Sequence, residues 1–420
     1  MARAKRAAAL IAAIVCGALF AHGSDARAEL LAGTAMRELI PPVKVPLAGY
    51  SKRKGKLATG VHDAPAVRAL VVREGDRWVA MASCDLLIID EQLFDAVRKK
   101  VAASSAHEPI ALLVAATHTH SGPGAYGHKF FEKLSMGHFD RRAFDFLVEQ
   151  IAGAIVDATS SLQPVTVRAA TAAVEGVSIN RVIDGGPVDR DLTVVSFDGA
   201  AGKPVAVIVN FAAHPTSLGA WNMQFSADYP GLLVRAIEQR HPNSRCLFFA
   251  GAVGDQAPIK RGDRYDRPHA IADPLIAKAM ELVDDSHASA SSGLRAVTTV
   301  MRLPPPHLHL PRFSLPSWLS RPFVDDDATL TLVAIGSVVF IGVPCDLSAE
   351  LGFAIKRHAA SLGYTPLIVG FADDYVGYCM PEHIYRSGGY EASMAFNGPK
   401  TGELLVERVS QLLDELGPAR

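Results

Sequence analysis

The sequence has no excess of charge of either sign, few cysteines and none of several familiar catalytic motifs. Lysine and arginine number 42 against 43 aspartate and glutamate among 420 residues, so the net charge gives no basis for binding nucleic acid. Five cysteines are too few for a disulfide scaffold. G-x-S-x-G, H-E-x-x-H, Walker A and C-x-x-C patterns are all absent, which excludes the chemistries that depend on them.

Residues 1–28 have the pattern of a secretory signal peptide. Three basic residues precede an apolar run over 7–21, and Ala26, Arg27 and Ala28 form a small-x-small cleavage site. Cleavage would remove four basic residues and one acidic residue, leaving a net charge of −4. No later stretch reaches about 18 uninterrupted apolar residues, the length of a membrane span. We expect a secreted or periplasmic protein, and an uncleaved N-terminal anchor is the alternative.

Beyond residue 28, short β-branched runs alternate with amphipathic segments of helical length. This alternation is typical of an α/β domain. Strands are predicted at 65–73, 78–88, 109–117, 192–198, 204–212, 245–250, 294–302, 329–335, 338–343 and 365–371. Helices are predicted at 90–104, 141–161, 229–240, 270–283, 347–361 and 400–416. We find no internal repeat and no linker, so the sequence predicts one catalytic domain over 29–420, with a largely internal mixed β-sheet flanked by helices.

The segment 303–323 is rich in proline, which excludes regular structure, yet it also contains leucine, phenylalanine and tryptophan. A solvated loop has no need of these large apolar side chains. The segment is therefore either a loop packed on the core or an apolar lid or lipid-facing surface beside a pocket.

Polar side chains follow several predicted strands directly. His118 and His120 come after one strand, His214 after another, and Asp255 and Asp346 after two more. Open α/β sheets build their sites at such strand ends. We expect His118 and His120 to lie on the same side of an extended segment, where both imidazoles reach one site. The pattern predicts a metal site at the strand ends.

Six segments of the chain resemble the neutral, non-lysosomal ceramidases, both their N-terminal catalytic domain and shorter bacterial relatives. They are THTHSGPG at 117–124, SINR at 178–181, FAAHPTS at 211–217, SADYPG at 226–231, AGAVGDQAP at 250–258 and GFADDYVGYCMPEHIYRSGGYEA at 370–392. The resemblance covers nearly the whole chain after residue 28. It implies a zinc-dependent amidohydrolase that splits an N-acyl amide, such as N-acylsphingosine, into fatty acid and amine by attack of a zinc-bound water.

The resemblance also implies individual roles. A single zinc ion would be bound by two histidines, a carboxylate and a tyrosine. Three further residues would face the scissile amide, a histidine for proton transfer and two groups for the developing oxyanion. The implied zinc ligands are His118, His214, Asp346 and Tyr378, and the implied catalytic residues are His120, Arg181 and Tyr390.

Two residues depart from the family pattern. Asp346 stands where the relatives have a glutamate, and its side chain is shorter by one methylene. Either the backbone lies closer to the metal, or the carboxylate contacts the ligands without binding the metal itself. Ala257 stands where relatives that cleave ceramide have a serine, so no serine nucleophile is available there. We also expect the C-terminal β-sandwich domain of longer ceramidases to be missing. A zinc hydrolase of a smaller amide or ester, and a non-catalytic binding protein with the same fold, remain alternatives.

The expected partners are a small-molecule or lipid amide substrate and, transiently, a membrane surface; we expect no nucleic acid or protein partner. Cys345 and Cys379 each adjoin a proposed ligand. In an oxidising compartment they would form either a disulfide that braces the ligand loops or two buried free thiols.

Overall fold

We describe the protein from a computed structural model. It covers residues 28–419 except 106, 286–292, 307, 308, 311, 312, 315, 321 and 322. The predicted signal peptide, apart from its last residue, lies outside the described residues. Among the helices that are described, none is long and apolar enough to cross a membrane.

The first part of the chain forms a five-stranded sheet with the order β5-β4-β3-β1-β6. Its elements are β1 (Leu30–Glu38), β2 (Gly60–Val61), β3 (Ala66–Glu74), β4 (Arg77–Cys84), α1 (Glu91–Ser104), β5 (Ala111–Ala116), α2 (Phe130–Met136), α3 (Arg141–Thr159) and β6 (Gln163–Pro164). The β4–β5 pair is parallel, and α1 makes the crossover between the two strands. Asp90 begins this helix by accepting a hydrogen bond from the Leu93 N–H at 2.8 Å.

The second part forms a four-stranded sheet with the order β12-β10-β9-β7. Its elements are β7 (Thr166–Ala173), β8 (Ser178–Asn180), β9 (Asp191–Asp198), β10 (Pro204–Phe211), β11 (Gln224–Phe225), α4 (Asp228–Arg240), β12 (Arg245–Ala250), β13 (Gln256–Pro258) and α5 (Asp266–Asp285). Here β10 and β12 are the parallel pair, and α4 connects them.

The third part forms another four-stranded sheet with the order β14-β17-β18-β20. Its elements are β14 (Leu294–Arg302), β15 (His309–Leu310), β16 (Phe313–Ser314), α6 (Ser317–Ser320), β17 (Asp327–Ile335), β18 (Val338–Val343), β19 (Asp346–Leu347), α7 (Ala349–Ser361), β20 (Thr365–Gly370), β21 (Tyr378–Cys379), α8 (Glu382–Ser387), α9 (Tyr390–Ser393) and α10 (Thr401–Leu416). The parallel pair is β18 and β20, with α7 between them.

The three large sheets share one topology and one core. In each, two antiparallel strands lead to a third strand, a crossover helix and a parallel fourth strand. The inner faces of the sheets pack together, with Met81, Ile208 and Phe340 fully buried between them. Helices cover the outer faces, two of the longer ones on each sheet. The fold is therefore a threefold repetition of one unit.

The predicted α/β fold, with internal mixed sheet and flanking helices, is confirmed, although the sheet is divided into three. The predicted strands and helices correspond to elements of the structure within a few residues. The repeat of the unit was not visible in the sequence. In the proline-rich segment 303–323 the described residues form only short pieces, among them α6.

Candidate metal centre and active site

His118 follows β5 in a backbone conformation that non-glycine residues rarely adopt. Its φ is 64°, in the left-handed region, so the segment is not extended as the sequence analysis expected. The imidazole stacks on Phe371, with ring centroids 3.7 Å apart. Nδ1–H donates to the carbonyl oxygen of Leu87 at 2.6 Å, which leaves the lone pair of Nε2 free. The stack on Phe371 and the hydrogen bond to Leu87 thus fix the orientation of the ring.

Three histidine Nε2 atoms converge on one point. His214 follows β10, and its Nε2 lies 3.0 Å from that of His118. The Nε2 of His120 lies 3.3 Å from His118 and 3.1 Å from His214. Two nitrogens that bind the same tetrahedral Zn²⁺ at 2.0–2.1 Å would lie about 3.3 Å apart. The three histidines therefore have the spacing of a group that could hold a metal ion.

The electrostatic environment keeps these imidazoles neutral. Burial lowers the pKa of His118 to about 3, and it lowers the pKa values of His120 and His214 well below the usual range. Neutral imidazoles carry the lone pairs that metal ions require, whereas protonated ones would repel a cation.

Asp346 supplies a carboxylate to the same place. Its Oδ1 lies 3.7 Å from His118 Nε2 and 3.8 Å from His214 Nδ1, and it is buried without a hydrogen-bond partner. The other oxygen, Oδ2, accepts from the Tyr375 hydroxyl at 2.8 Å. Burial raises the pKa of Asp346 to about 7. An unpartnered carboxylate oxygen beside three imidazoles is the donor set expected for a divalent metal.

Tyr378 lies opposite Asp346, because β19 and β21 pair in parallel with these two residues in register. Its hydroxyl accepts from Arg181 Nη2 at 2.9 Å, and the same nitrogen donates to the carbonyl oxygen of Gly254 at 2.8 Å. Arg181 Nε is also 3.0 Å from Glu391 Oε1. The arginine is thus fixed on three sides next to the tyrosine hydroxyl.

Tyr390 stands at the mouth of the site. Its ring is perpendicular to that of Tyr378 at a centroid distance of 5.8 Å, and it is 61% exposed. Both tyrosines, together with His118 and Asp346, line a cavity of about 110 Å³. The remaining walls combine aromatic and aliphatic side chains with the charged side chains of Lys129, Glu132 and Asp325.

The structure brings the proposed site residues together. Five of the seven line this cavity, namely His118, His120, Asp346, Tyr378 and Tyr390. His214 lies behind them against His118, and Arg181 reaches the cavity only through its hydrogen bond to Tyr378. Asp255 is not part of the group. Its carboxylate accepts from the N–H of Ala349 at 2.8 Å and from Asn180 at 3.1 Å, so it braces the start of α7. A polar side chain at a strand end can therefore hydrogen-bond to neighbouring backbone groups and take no part in the site.

Tyr375 and Glu391 were missed by the sequence analysis. Tyr375 orients Asp346, and Glu391 pairs with Arg181. Both lie inside the segment 370–392 that carries the resemblance, which was the available signal. Nothing in the spacing of the residues indicated which of them would face the ligands.

The structure does not contain the disulfide that the sequence analysis considered between Cys345 and Cys379. Cys345 and Cys379 are free, buried thiols, as in the alternative considered. The parallel pairing of β19 with β21 already holds the two ligand loops together, so no covalent brace is needed.

Comparison with known proteins places the chain among relatives. The family model for the neutral/alkaline non-lysosomal ceramidase, N-terminal, matches residues 39–263, more than half of the chain. The chain belongs to the neutral/alkaline non-lysosomal ceramidase family. The resemblance inferred from the sequence is confirmed.

Curated ceramidases are similar over part of their length. Neutral ceramidase A of Dictyostelium discoideum is 25% identical over 55% of this chain and 36% of its own. The neutral ceramidase of Pseudomonas aeruginosa is 29% identical over 57% of this chain and 39% of its own. That of Mycobacterium tuberculosis is 28% identical over 89% and 75%. The match thus spans less than two fifths of the first two relatives.

Two solved structures share the fold. A structure described as ceramidase complexed with C2 superposes with a TM-score of 0.83 at 20% identity, covering 94% of this chain and 76% of that one. The crystal structure of neutral ceramidase from Pseudomonas aeruginosa gives a TM-score of 0.81 at 21% identity. At these identities the likeness establishes the ceramidase fold.

Proposed function

We propose that this chain is an exported, zinc-dependent amidohydrolase that splits a ceramide-like N-acyl amide into fatty acid and amine. The observation that carries the proposal is the convergence of His118, His120 and His214 beside the unpartnered oxygen of Asp346. Membership of the ceramidase family supports an amide bond as the target.

The residues present fit a metal ion. Following the family resemblance, we assign His118, His214, Asp346 and Tyr378 as the groups that would bind it. The Nε2 of His120 lies 3.3 and 3.1 Å from those of His118 and His214, so a third imidazole is available at the same point. When bound, Zn²⁺ would lower the pKa of a water molecule and polarise the amide carbonyl. The shorter side chain of Asp346 still reaches the histidines.

His120 is the proton carrier in this proposal. Its Nε2 faces the same point as the other two histidines, and burial keeps it neutral and able to accept a proton. It would take the proton of the attacking water as the C–O bond forms, and pass it to the nitrogen as the C–N bond breaks. The products are a carboxylic acid and a free amine.

Two groups would stabilise the carbonyl oxygen as negative charge develops on it. Burial alone would lower the pKa of the Arg181 guanidinium, but Tyr378, Glu391 and Asp346 together raise it, so the arginine keeps its charge. Tyr390 offers a hydroxyl at the cavity mouth. Donors held in place before the reaction stabilise such charge at little reorganisation cost. Ala257 offers no nucleophile, so direct attack by water replaces an acyl-serine step.

The walls of the cavity support a lipid amide as the substrate. Phe131 stacks on Phe396 with centroids 5.0 Å apart, and both line the cavity with Phe323 and Met394. Apolar walls of this kind favour the hydrocarbon of an acyl chain or a long-chain base.

Turnover and zinc content test this proposal together. We expect the protein to hydrolyse N-acyl fluorogenic amides and to lose activity on chelation. His214→Ala should remove both zinc and activity, whereas His107→Ala, an exposed histidine outside the site, should leave both unchanged. An active, chelator-resistant His214→Ala variant would contradict the zinc assignment. N-terminal sequencing of the periplasmic or secreted fraction tests cleavage after Ala28, and a retained N-terminus would contradict export by a cleaved signal peptide.

A further inference from the structure

The outer wall of the cavity carries exposed apolar side chains. Helix α2 turns Phe131 towards the cavity and turns Phe130 and Leu134 outwards, where they are 53% and 52% exposed. Phe323 lines the cavity and is also exposed, and its ring meets Phe130 at a centroid distance of 5.9 Å. The apolar lining therefore continues from the cavity onto the surface of the protein.

A loop rich in lysine lies next to this helix. Lys52, Lys54 and Lys56 are all exposed, on and just after a short 3₁₀ turn. The loop is held against the end of α2, because the Gly49 N–H donates to the Ser135 carbonyl oxygen at 3.0 Å.

The same helix adds a fourth lysine, Lys133, which is exposed between Phe130 and Leu134. Among the described residues, none of these four lysines has a carboxylate within 4.0 Å. The acid on this helix, Glu132, is buried, and its carboxylate accepts from the Lys129 N–H at 2.7 Å. The surface therefore combines uncompensated positive charge with exposed apolar groups.

We propose that this surface docks on an anionic lipid bilayer. We call it the lysine-apolar face, and it consists of Lys52, Lys54, Lys56, Phe130, Lys133 and Leu134. Apolar side chains on a lysine-rich surface insert at the boundary of headgroups and acyl chains, while the lysines are attracted to anionic lipids. A formal charge of −1 for the whole chain provides no general attraction to such a surface, so the attraction is local.

Docking in this orientation would bring the cavity mouth to the bilayer. Phe323 and Tyr390 both line the cavity and are exposed. A lipid chain could then pass from the bilayer along apolar side chains into the cavity without crossing water. The docking itself needs no turnover, so it can be tested whether or not the proposed reaction is correct.

Vesicle sedimentation tests the proposal. The full-length mature protein should bind equimolar phosphatidylglycerol and phosphatidylcholine vesicles more tightly than pure phosphatidylcholine vesicles, and added salt should weaken binding. Lys54→Gln/Lys56→Gln should weaken binding to the anionic vesicles about 30-fold, since each lysine near such a surface contributes a factor of roughly five. Phe130→Ser/Leu134→Ser should weaken it about ten-fold or more.

Matched variants elsewhere on the surface provide the controls. Lys99→Gln/Lys203→Gln removes the same charge, and Val300→Ser removes an apolar side chain that is 62% exposed. Both should bind as the parent protein does, and all variants should hydrolyse a water-soluble short-chain amide at the parent rate. Equal binding of the parent to both vesicle types would overturn the proposal, as would equal binding of the face variants and their controls. If the apolar double variant fails to fold, the double variant of the two exposed lysines and its lysine control decide the question.

Discussion

Gly49 lies against the His120 ring, so its replacement by alanine tests the position of that ring. Gly49 has a φ of 104°, and a Cβ there would lie 2.6 Å from both Cγ and Nδ1 of the His120 ring. Ordinary contact begins at 3.4 Å, so the ring must move by about 0.8 Å. Retreat is restricted because the Tyr50 ring lies 4.8 Å away and Arg53 donates to the His120 carbonyl oxygen at 2.6 Å.

A displacement approaching 1 Å of a proton-transfer group lowers kcat by roughly 100-fold. We therefore expect Gly49→Ala to lose about that factor in kcat on an N-acyl amide while retaining zinc. The positive φ adds a stability cost of about 1–2 kcal/mol. Gly176→Ala is the control, because its φ of 73° is also positive while nothing lies within 4 Å of the new Cβ. Steady-state kinetics, zinc analysis and urea unfolding measure the three effects, and equal kcat values for the two variants would refute the reasoning.

Three further results are expected. His120→Ala should lower kcat by roughly 10²–10⁴-fold while zinc stays bound, and loss of the zinc would instead make His120 a ligand. Burial raises the pKa of Asp373 to about 7 in the folded protein, against 3.8 for the unfolded chain. Because the unfolded chain loses this proton more readily, the free energy of unfolding should fall as the pH rises from about 4 to 7. In urea unfolding at pH 8, Asp373→Asn should therefore be more stable than the parent by on the order of 4 kcal/mol, and at pH 4 the two proteins should differ little. A difference in stability between them that does not change with pH would contradict this expectation. Cys345 and Cys379 should both be alkylated after denaturation without reductant, and protection of either would indicate a disulfide.

The sequence predicted most elements because their patterns are local. The helix predicted at 90–104 was observed at Glu91–Ser104, where an apolar stripe and the cap at Asp90 coincide. The threefold repetition of the unit could not be predicted from the sequence, because a buried strand can be formed by many different apolar sequences. The three units therefore share a topology without sharing a recognisable sequence pattern. Their likeness becomes visible only when the strand order of each sheet is known.

The sequence predicted which side chains would lie close together, but not their geometry. His118 and His214 were expected to meet, and their Nε2 atoms do lie 3.0 Å apart. We expected an extended segment to place His118 and His120 on the same side, and this was wrong. The backbone at His118 is in the left-handed region, and the two rings meet across that turn. Tyr375 could not be assigned from spacing, because its contact with Asp346 depends on how the loops after β18 and β20 pack.

Anomalous diffraction at the zinc edge, from crystals of the purified protein, tests the central claim most directly. The account predicts one peak per chain, about 2.0–2.2 Å from His118 Nε2, His214 Nε2 and a carboxylate oxygen of Asp346, with the Tyr378 hydroxyl completing the protein ligands. The peak should disappear in His118→Ala and persist in His107→Ala. A peak elsewhere in the molecule, or an undiminished peak in His118→Ala, would contradict the account.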